Sequence, residues 1–269
     1  MALGHILQHT GGDVPAGVFG RAASWYAEEY GLPRAAAKAL SEYVPQGRDA
    51  YAKLPIRLVT TVDQAYPGDL RRMEHPPPLV SEHGIGNCEL TKGSFSVLCS
   101  ARSEMDRAEE AKAAIQAGLE AGWHVVSGHN RPIYQWAVLA AKRSERPSVM
   151  VLDRGFLCAF DSDMHRDPVA AARIWGFAFD ADHCTALSAF RLRDAWTPPN
   201  GRRRDAMVVA LSDTIVVLGM RSGGTIHHLC EHALASGQRV YADEAAMEVL
   251  GSQGASLWTG TFPAGPLLR

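Results

Sequence analysis

TIVVLGMRSGGTIHHLCEHALASGQRVYAD, residues 214–243, decides the fold. A short apolar run, Thr214–Leu218, leads into a turn with two glycines, then a helical stretch, then a second apolar run from Arg239. Runs of Val, Ile and Leu without polar alternation suit strands covered on both faces. A strand, a helix and a second strand in that order predict a right-handed crossover with the two strands parallel.

The same alternation extends back to Phe95. The strand candidates are FSVLC, WHVVS, SVMVLD, CTALS, TIVVL and RVYAD. Between them lie the helical stretches EMDRAEEAKAAIQAGLEAG, YQWAVLAAKR, GFLCAF with DPVAAARIWGFAF, RRDAMVVAL and IHHLCEHALASG. This predicts an α/β fold: a Rossmann-like, doubly wound, mostly parallel sheet with helices on both faces. Residues 55–250 are assigned to that domain. IRLVTT (56–61) and the end of YPGDLRRMEHPPPLVSEHG add two short strands ahead of it, with a turn, a short helix and a proline brake between. Residues 1–54 read as a small helical region, with Val18, Ala22, Trp25 and Tyr26 on one stripe. Residues 251–269 read as a loop-like tail that packs as an arm.

Composition narrows the function classes. The chain has 269 residues, 46% hydrophobic and 21% charged, with a formal net charge of −2, so it is not a wholesale basic DNA-packaging protein. Its five cysteines never form CxxC and mostly sit in apolar segments, which predicts reduced, buried thiols in the cytoplasm. No apolar run approaches the roughly 18 residues of a membrane span, and no signal-peptide core opens the chain.

Open α/β sheets bind ligands beyond the carboxyl ends of their strands. The residues just past each strand are Ser100-Ala101-Arg102, Ser127-Gly128-His129-Asn130, Asp153-Arg154-Gly155 and Arg221-Ser222-Gly223-Gly224-Thr225. Small residues, hydroxyls, arginines and helix-starting N–H groups are what a phosphate needs. The same glycines and serines also serve as plain turns and caps. Arg202, Arg203 and Arg204 open a helix near this rim, and a planar guanidinium fork suits phosphate. Of the three, Arg204 stands best placed to turn inward. Trp196, in the arginine loop, is the candidate for stacking a base; Trp136 reads as core.

Other chemistries find little support. GxGxxG is absent, so no dinucleotide cofactor is expected. His228 and His232 are spaced i,i+4, yet no HExxH glutamate or third ligand accompanies them, so no metal is expected. Ser127 and Ser222 have no base at a motif spacing, and Asp153 and Asp205 have no partner visible in the sequence, so no catalytic residue is assigned.

Several segments, in order, resemble the DNA-processing protein A family (DprA, also called Smf). They are YPGDLRRMEHPPPLVSEHG, FSVLCSAR, GWHVVSGHNRPIYQWAVLAA, SVMVLDRGF, TALSAF, RRDAMVVALSDTIVVL and SGGTIHHLCEHALASGQRVY, spanning roughly residues 55–243. The resemblance implies a Rossmann-like core that binds single-stranded DNA, serves a RecA-type recombinase and works as a homodimer. It implies phosphate contacts at Ser100, Arg102, Ser127, Gly128, Arg203, Arg204 and Ser222 to Thr225. The chain departs from the family pattern at several points. Cys99-Ser100-Ala101-Arg102 stands for Val-Gly-(Ser/Ala)-Arg, and Pro132-Ile133-Tyr134 for Gly-Ile-Asp. Ser188-Ala189 stands for Ser-Glu, Arg204-Asp205-Ala206 for Arg-Asn-Arg, and Asp153 for a glycine. A second resemblance, to LOG-type nucleoside-monophosphate phosphoribohydrolases, rests on Arg204, Met207 and Gly224-Thr225. Its catalytic glutamate falls on His228, so the hydrolase ranks behind a binding protein, with no enzyme activity assigned. The rim therefore holds a single-stranded DNA backbone, a free nucleotide, or nothing, in which case the chain acts through protein contacts.

Overall fold

The computed structural model describes residues 22–38, 53–61, 63–85, 93–100 and 104–263. Near the start, α1 (Ala23–Tyr30) ends on Gly31, whose φ of +59° a glycine adopts without strain. Tyr26, Tyr30, Leu32 and Ala37 close a small apolar cluster there. The rest of the predicted N-terminal helical region, with Val18, lies outside the described residues.

One sheet of nine strands organises the rest. In chain order they are β1 (Arg57–Thr60), β2 (Leu79–Gly84), β3 (Ser94–Leu98), β4 (His124–Ser127), β5 (Ser148–Val151), β6 (Cys184–Ser188), β7 (Thr214–Val217), β8 (Arg239–Ala242) and β9 (Ser256–Leu257). The spatial order is β1-β2-β6-β5-β4-β3-β7-β8-β9. From β6 to β9 all neighbours are parallel, while β1 and β2 add an antiparallel hairpin beside β6. Strands β3 to β7 are buried at every residue, which explains why their sequences are continuous apolar runs rather than alternating ones. β9 carries the sheet one strand into the stretch read as tail. There Trp258 and Phe262 pack beside Trp123 and Phe95, and the Trp123 indole donates to the Pro263 carbonyl at 2.8 Å.

The helices follow from the strand order. From β3 the chain steps outward through α2 (Ala108–Glu120), β4 and α3 (Pro132–Arg143) to β5. After β5, α4 (Phe156–Ala159) and α5 (Ala170–Ile174) lead to β6. It then returns across β3 to β7 by way of α6 (Pro198–Ala210), and α7 (Thr225–Ala235) leads on to β8 and α8 (Glu244–Leu250). Right-handed crossovers in opposite directions put helices on opposite faces. Accordingly α2 packs on α3, and α6 on α7. Proline at the first turn of α3 and of α6 presets φ where no intrahelical N–H bond is lost.

This winding makes β3 the switch point, flanked by β4 on one side and β7 on the other. At its far end α2 sits tightly: a Cβ at Gly118 would stand 2.4 Å from the Phe95 ring, itself held at 4.9 Å from Phe262. In an open helix Gly→Ala gains about 1 kcal/mol. Here Gly118→Ala is expected to destabilise by about 1–3 kcal/mol through overpacking. Urea unfolding checks this, and a more stable variant would show that the ring has room to move.

Candidate nucleic-acid interface

The strand ends carry two groups of polar residues. The first joins β3 to β7. The Ser100 N–H donates to the Gly219 carbonyl at 3.1 Å, and the Ser100 hydroxyl accepts the Arg221 N–H at 3.2 Å. Beyond this clasp the turn is open: Ser222, Gly223 and Thr225 are exposed, and only Gly224 is buried. Gly223 has φ +68°, and a Cβ there would meet nothing. Helix α7 starts from Gly224 with no side-chain cap and no acidic residue in its first turn. Its first N–H groups and its dipole therefore face solvent as a site that favours anions.

The second group lies past β4 and β5 and is held by α6. Asp153 is wholly buried. The Asn130 amide donates to its Oδ2, Arg204 Nη1 donates to the same oxygen at 3.2 Å, and Arg154 Nε donates to Oδ1 at 3.0 Å. Arg204 Nε donates to Asp205 Oδ1 at 2.8 Å, which also accepts the Tyr134 hydroxyl at 2.6 Å. Arg131 pairs with the buried Glu104 and donates to the Cys99 carbonyl, tying this network back to β3. The guanidiniums of Arg204 and Arg131 lie 4.9 and 5.5 Å from the Tyr134 ring centroid.

Arg204 is 3% exposed, so it is first a strut between α6 and the strand ends. Removing it would leave Asp153 and Asp205 as buried charges without their main partner, at a cost of about 3–5 kcal/mol. Its Nη2 lies beside the first turn of α6. It lies 3.8 Å from the point where a Gly201 Cβ would stand, and the Trp196 indole nitrogen lies 3.6 Å from the same point. Trp196 is 48% exposed and lies over the first turn of α6. A fixed cationic edge and an exposed aromatic ring are thus neighbours. Arg191, Arg193 and Arg221 are exposed on loops, and Arg202 is exposed on α6.

The sequence-selected residues divide accordingly. Ser100, Ser222, Gly223, Gly224 and Thr225 come together, as do Ser127, Gly128 and Arg204. Ser127 is buried, and Gly128 is there for packing: a Cβ would strike Tyr134 at 2.6 Å and Arg204 at 2.7 Å. Arg203 is half-buried on another side of α6, where its charge acts on the Tyr66 phenol rather than on the strand ends. Arg102 lies outside the described residues. Sequence reasoning missed the partners of Asp153 and Asp205, and the roles of Asn130, Arg131 and Glu104. Tyr134 is 1% exposed and serves the core. Cys99, Cys184 and Cys230 are buried, and burial pushes each thiol up to about 12.

These features define an α/β protein of the Rossmann-like kind with its polar rim at a sheet switch point. The model of the family described as DNA recombination-mediator protein A matches residues 57–262, and the chain belongs to that family. Membership places it among DNA-processing proteins. The crystal structure of DNA processing protein A from Streptococcus pneumoniae is similar over 96% of this chain and 88% of that one, with a TM-score of 0.69 and 18% identity. DNA processing protein A from Helicobacter pylori, described by its single-stranded DNA binding mode, is similar over 76% of this chain and 91% of that one. Its TM-score is 0.56 and its identity 12%. At these identities the likeness is one of fold. No curated protein matches the chain in sequence.

Burial beside this network gives a pH dependence. His129 is 4% exposed, and desolvation lowers its pKa to about 4; the Asp153 carboxylate opposes that shift, while Arg154 and Arg204 add to it. The unfolded histidine titrates near 6.5, so between about 6.5 and 4 the unfolded chain binds the extra proton. The stability from neutral His129 is therefore present above pH 6.5 and is lost as pH falls towards 4. The expected loss between pH 7.5 and 5 is about 2 kcal/mol. Urea unfolding at the two pH values, with His129→Asn as reference, checks this; an equal loss in the variant would place its origin elsewhere.

Proposed function

We propose that the chain binds single-stranded DNA along this rim and acts as a recombination mediator. The open, acid-free turn Ser222–Thr225 at the switch point carries the reading. In it, a phosphate sits on the first N–H groups of α7, and its neighbours run past Ser100 towards Trp196. Arg193, Arg202 and Arg221 supply exposed surface charge. The internal arginines do not, because Arg131, Arg154 and Arg204 are balanced by Glu104, Asp153 and Asp205. Trp196 stacks a base. In this reading the protein works in the cytoplasm as a homodimer, handing strands to a RecA-type recombinase. The exposed pair Ile174 and Trp175, 83% and 63% accessible, is in keeping with a protein contact.

The test is a titration of a fluorescent oligonucleotide at two salt concentrations, with duplex DNA and AMP as competitors. Trp196→Ala should lower affinity by about 5- to 150-fold, corresponding to ~1–3 kcal/mol of stacking. Arg202→Ala should reduce the salt slope by about one. Arg204→Ala is avoided as a probe, since it removes a strut. Displacement by AMP, with weak and salt-insensitive DNA binding, would replace this reading with a free-nucleotide site. Light scattering on the same samples should return the mass of two chains; a single-chain mass would remove the homodimer.

A further inference from the structure

Three potential metal ligands meet on the exposed start of α7. His228 Nδ1 lies 3.0 Å from Glu231 Oε2, and His227 Nε2 lies 3.5 Å from Glu231 Oε1. One ligand atom from each residue lies within 4.8 Å of the others. Atoms bound to Zn2+ at about 2.0–2.2 Å stand about 3.3–3.6 Å apart at tetrahedral corners, so ligand atoms within 4.8 Å need only a small closing movement to surround the ion. His227 is 8% exposed, and its Nε2 is buried with no hydrogen-bond partner. A buried polar nitrogen left without a partner is costly, and a ligated cation would satisfy it. His232, paired with His228 by spacing alone, is drawn elsewhere: its Nε2 meets the Arg72 carbonyl at 2.5 Å.

We propose that His227, His228 and Glu231 bind one divalent cation of the Zn2+ class, with a coordination position open to solvent. Two imidazoles and a carboxylate suit Zn2+ better than Mg2+ or Ca2+, which prefer all-oxygen shells. The helix dipole opposes a cation here, and the Glu231 charge offsets it. His227 Nδ1 now accepts the Gly223 N–H at 3.2 Å, which leaves the ring proton on Nε2. Ligation through Nε2 moves that proton to Nδ1, the imidazole stays neutral, and the Gly223 N–H is released into the turn. The metal therefore couples to the anion cradle: it frees a donor and offers its open position to a phosphate oxygen. Only that coupling rests on the DNA-binding reading; the metal site does not.

The experiment titrates the chelator-treated full chain with Zn2+ against a competing metallochromic indicator, without DNA. One equivalent should bind, weakened about tenfold or more in His228→Ala and in Glu231→Gln. Thermal unfolding of the metal-free proteins confirms that both variants fold, as expected for residues at the surface. A Co2+ spectrum should show nitrogen and oxygen ligands. A thiolate charge-transfer band, or the same Zn2+ affinity in both variants, would overturn the site, as would failure to bind Zn2+ at all. Repeating the oligonucleotide titration with and without Zn2+ then reads the coupling. A Zn2+ effect on DNA affinity absent from His228→Ala supports it, and no effect in the wild type removes it while leaving the metal site standing.

Discussion

Arg204 holds the carboxyl edge of the sheet together. It comes from the helix that carries the chain back across β3, and it ends among the residues that follow β4 and β5. Its partners Asp153, Asp205 and Asn130 are fixed by strand ends or by the same helix, so the guanidinium has one place to go. Gly128 exists to let it pass. Such a network is costly to bury and is retained only when nearly every donor finds an acceptor. The return is a rigid rim in which the buried Arg204 guanidinium is held close to the exposed Trp196 ring.

That arrangement separates structural charge from recognition charge. The three buried carboxylates neutralise three arginines, and the field a phosphate would meet comes from exposed arginines and from the backbone of the open turn. The chain departs from its family's pattern at the positions that build this interior. Asp153 takes a glycine's place and Tyr134 an acid's, and both now anchor Arg204 and Asp205.

The fold was legible because its signal is local. Each buried strand is a short apolar run, each helix carries its small-residue face, and the Gly223-Gly224 turn marks a strand passing into a helix. The antiparallel β1–β2 pair needed only its proline brake. β9 was hidden, since Ser256-Leu257 is too short and too exposed to leave a pattern, and its strand character comes from β8 alongside. Among the candidate site residues, Ser222–Thr225 could be read as an open turn from their own glycines and hydroxyls. The partner of Asp153 was not, because 51 residues separate it from Arg204 and no spacing rule spans a sheet crossover.

The α7 histidines show where the boundary falls. Helical spacing alone puts His227, His228, Glu231 and His232 within reach of one another in more than one combination. The carbonyl of Arg72, 160 residues away, takes His232, while Glu231 meets His227, His228 and the Gln253 amide. The sequence by itself determined the order of strands and helices and the anion-favouring turn, because hydrophobic periodicity and backbone conformation act over a few residues. Which side chains share the rim, and which charges cancel there, was decided only when β3 came to lie between β4 and β7. Ion pairs and packing depend on distance in space, and the winding of the sheet sets that distance.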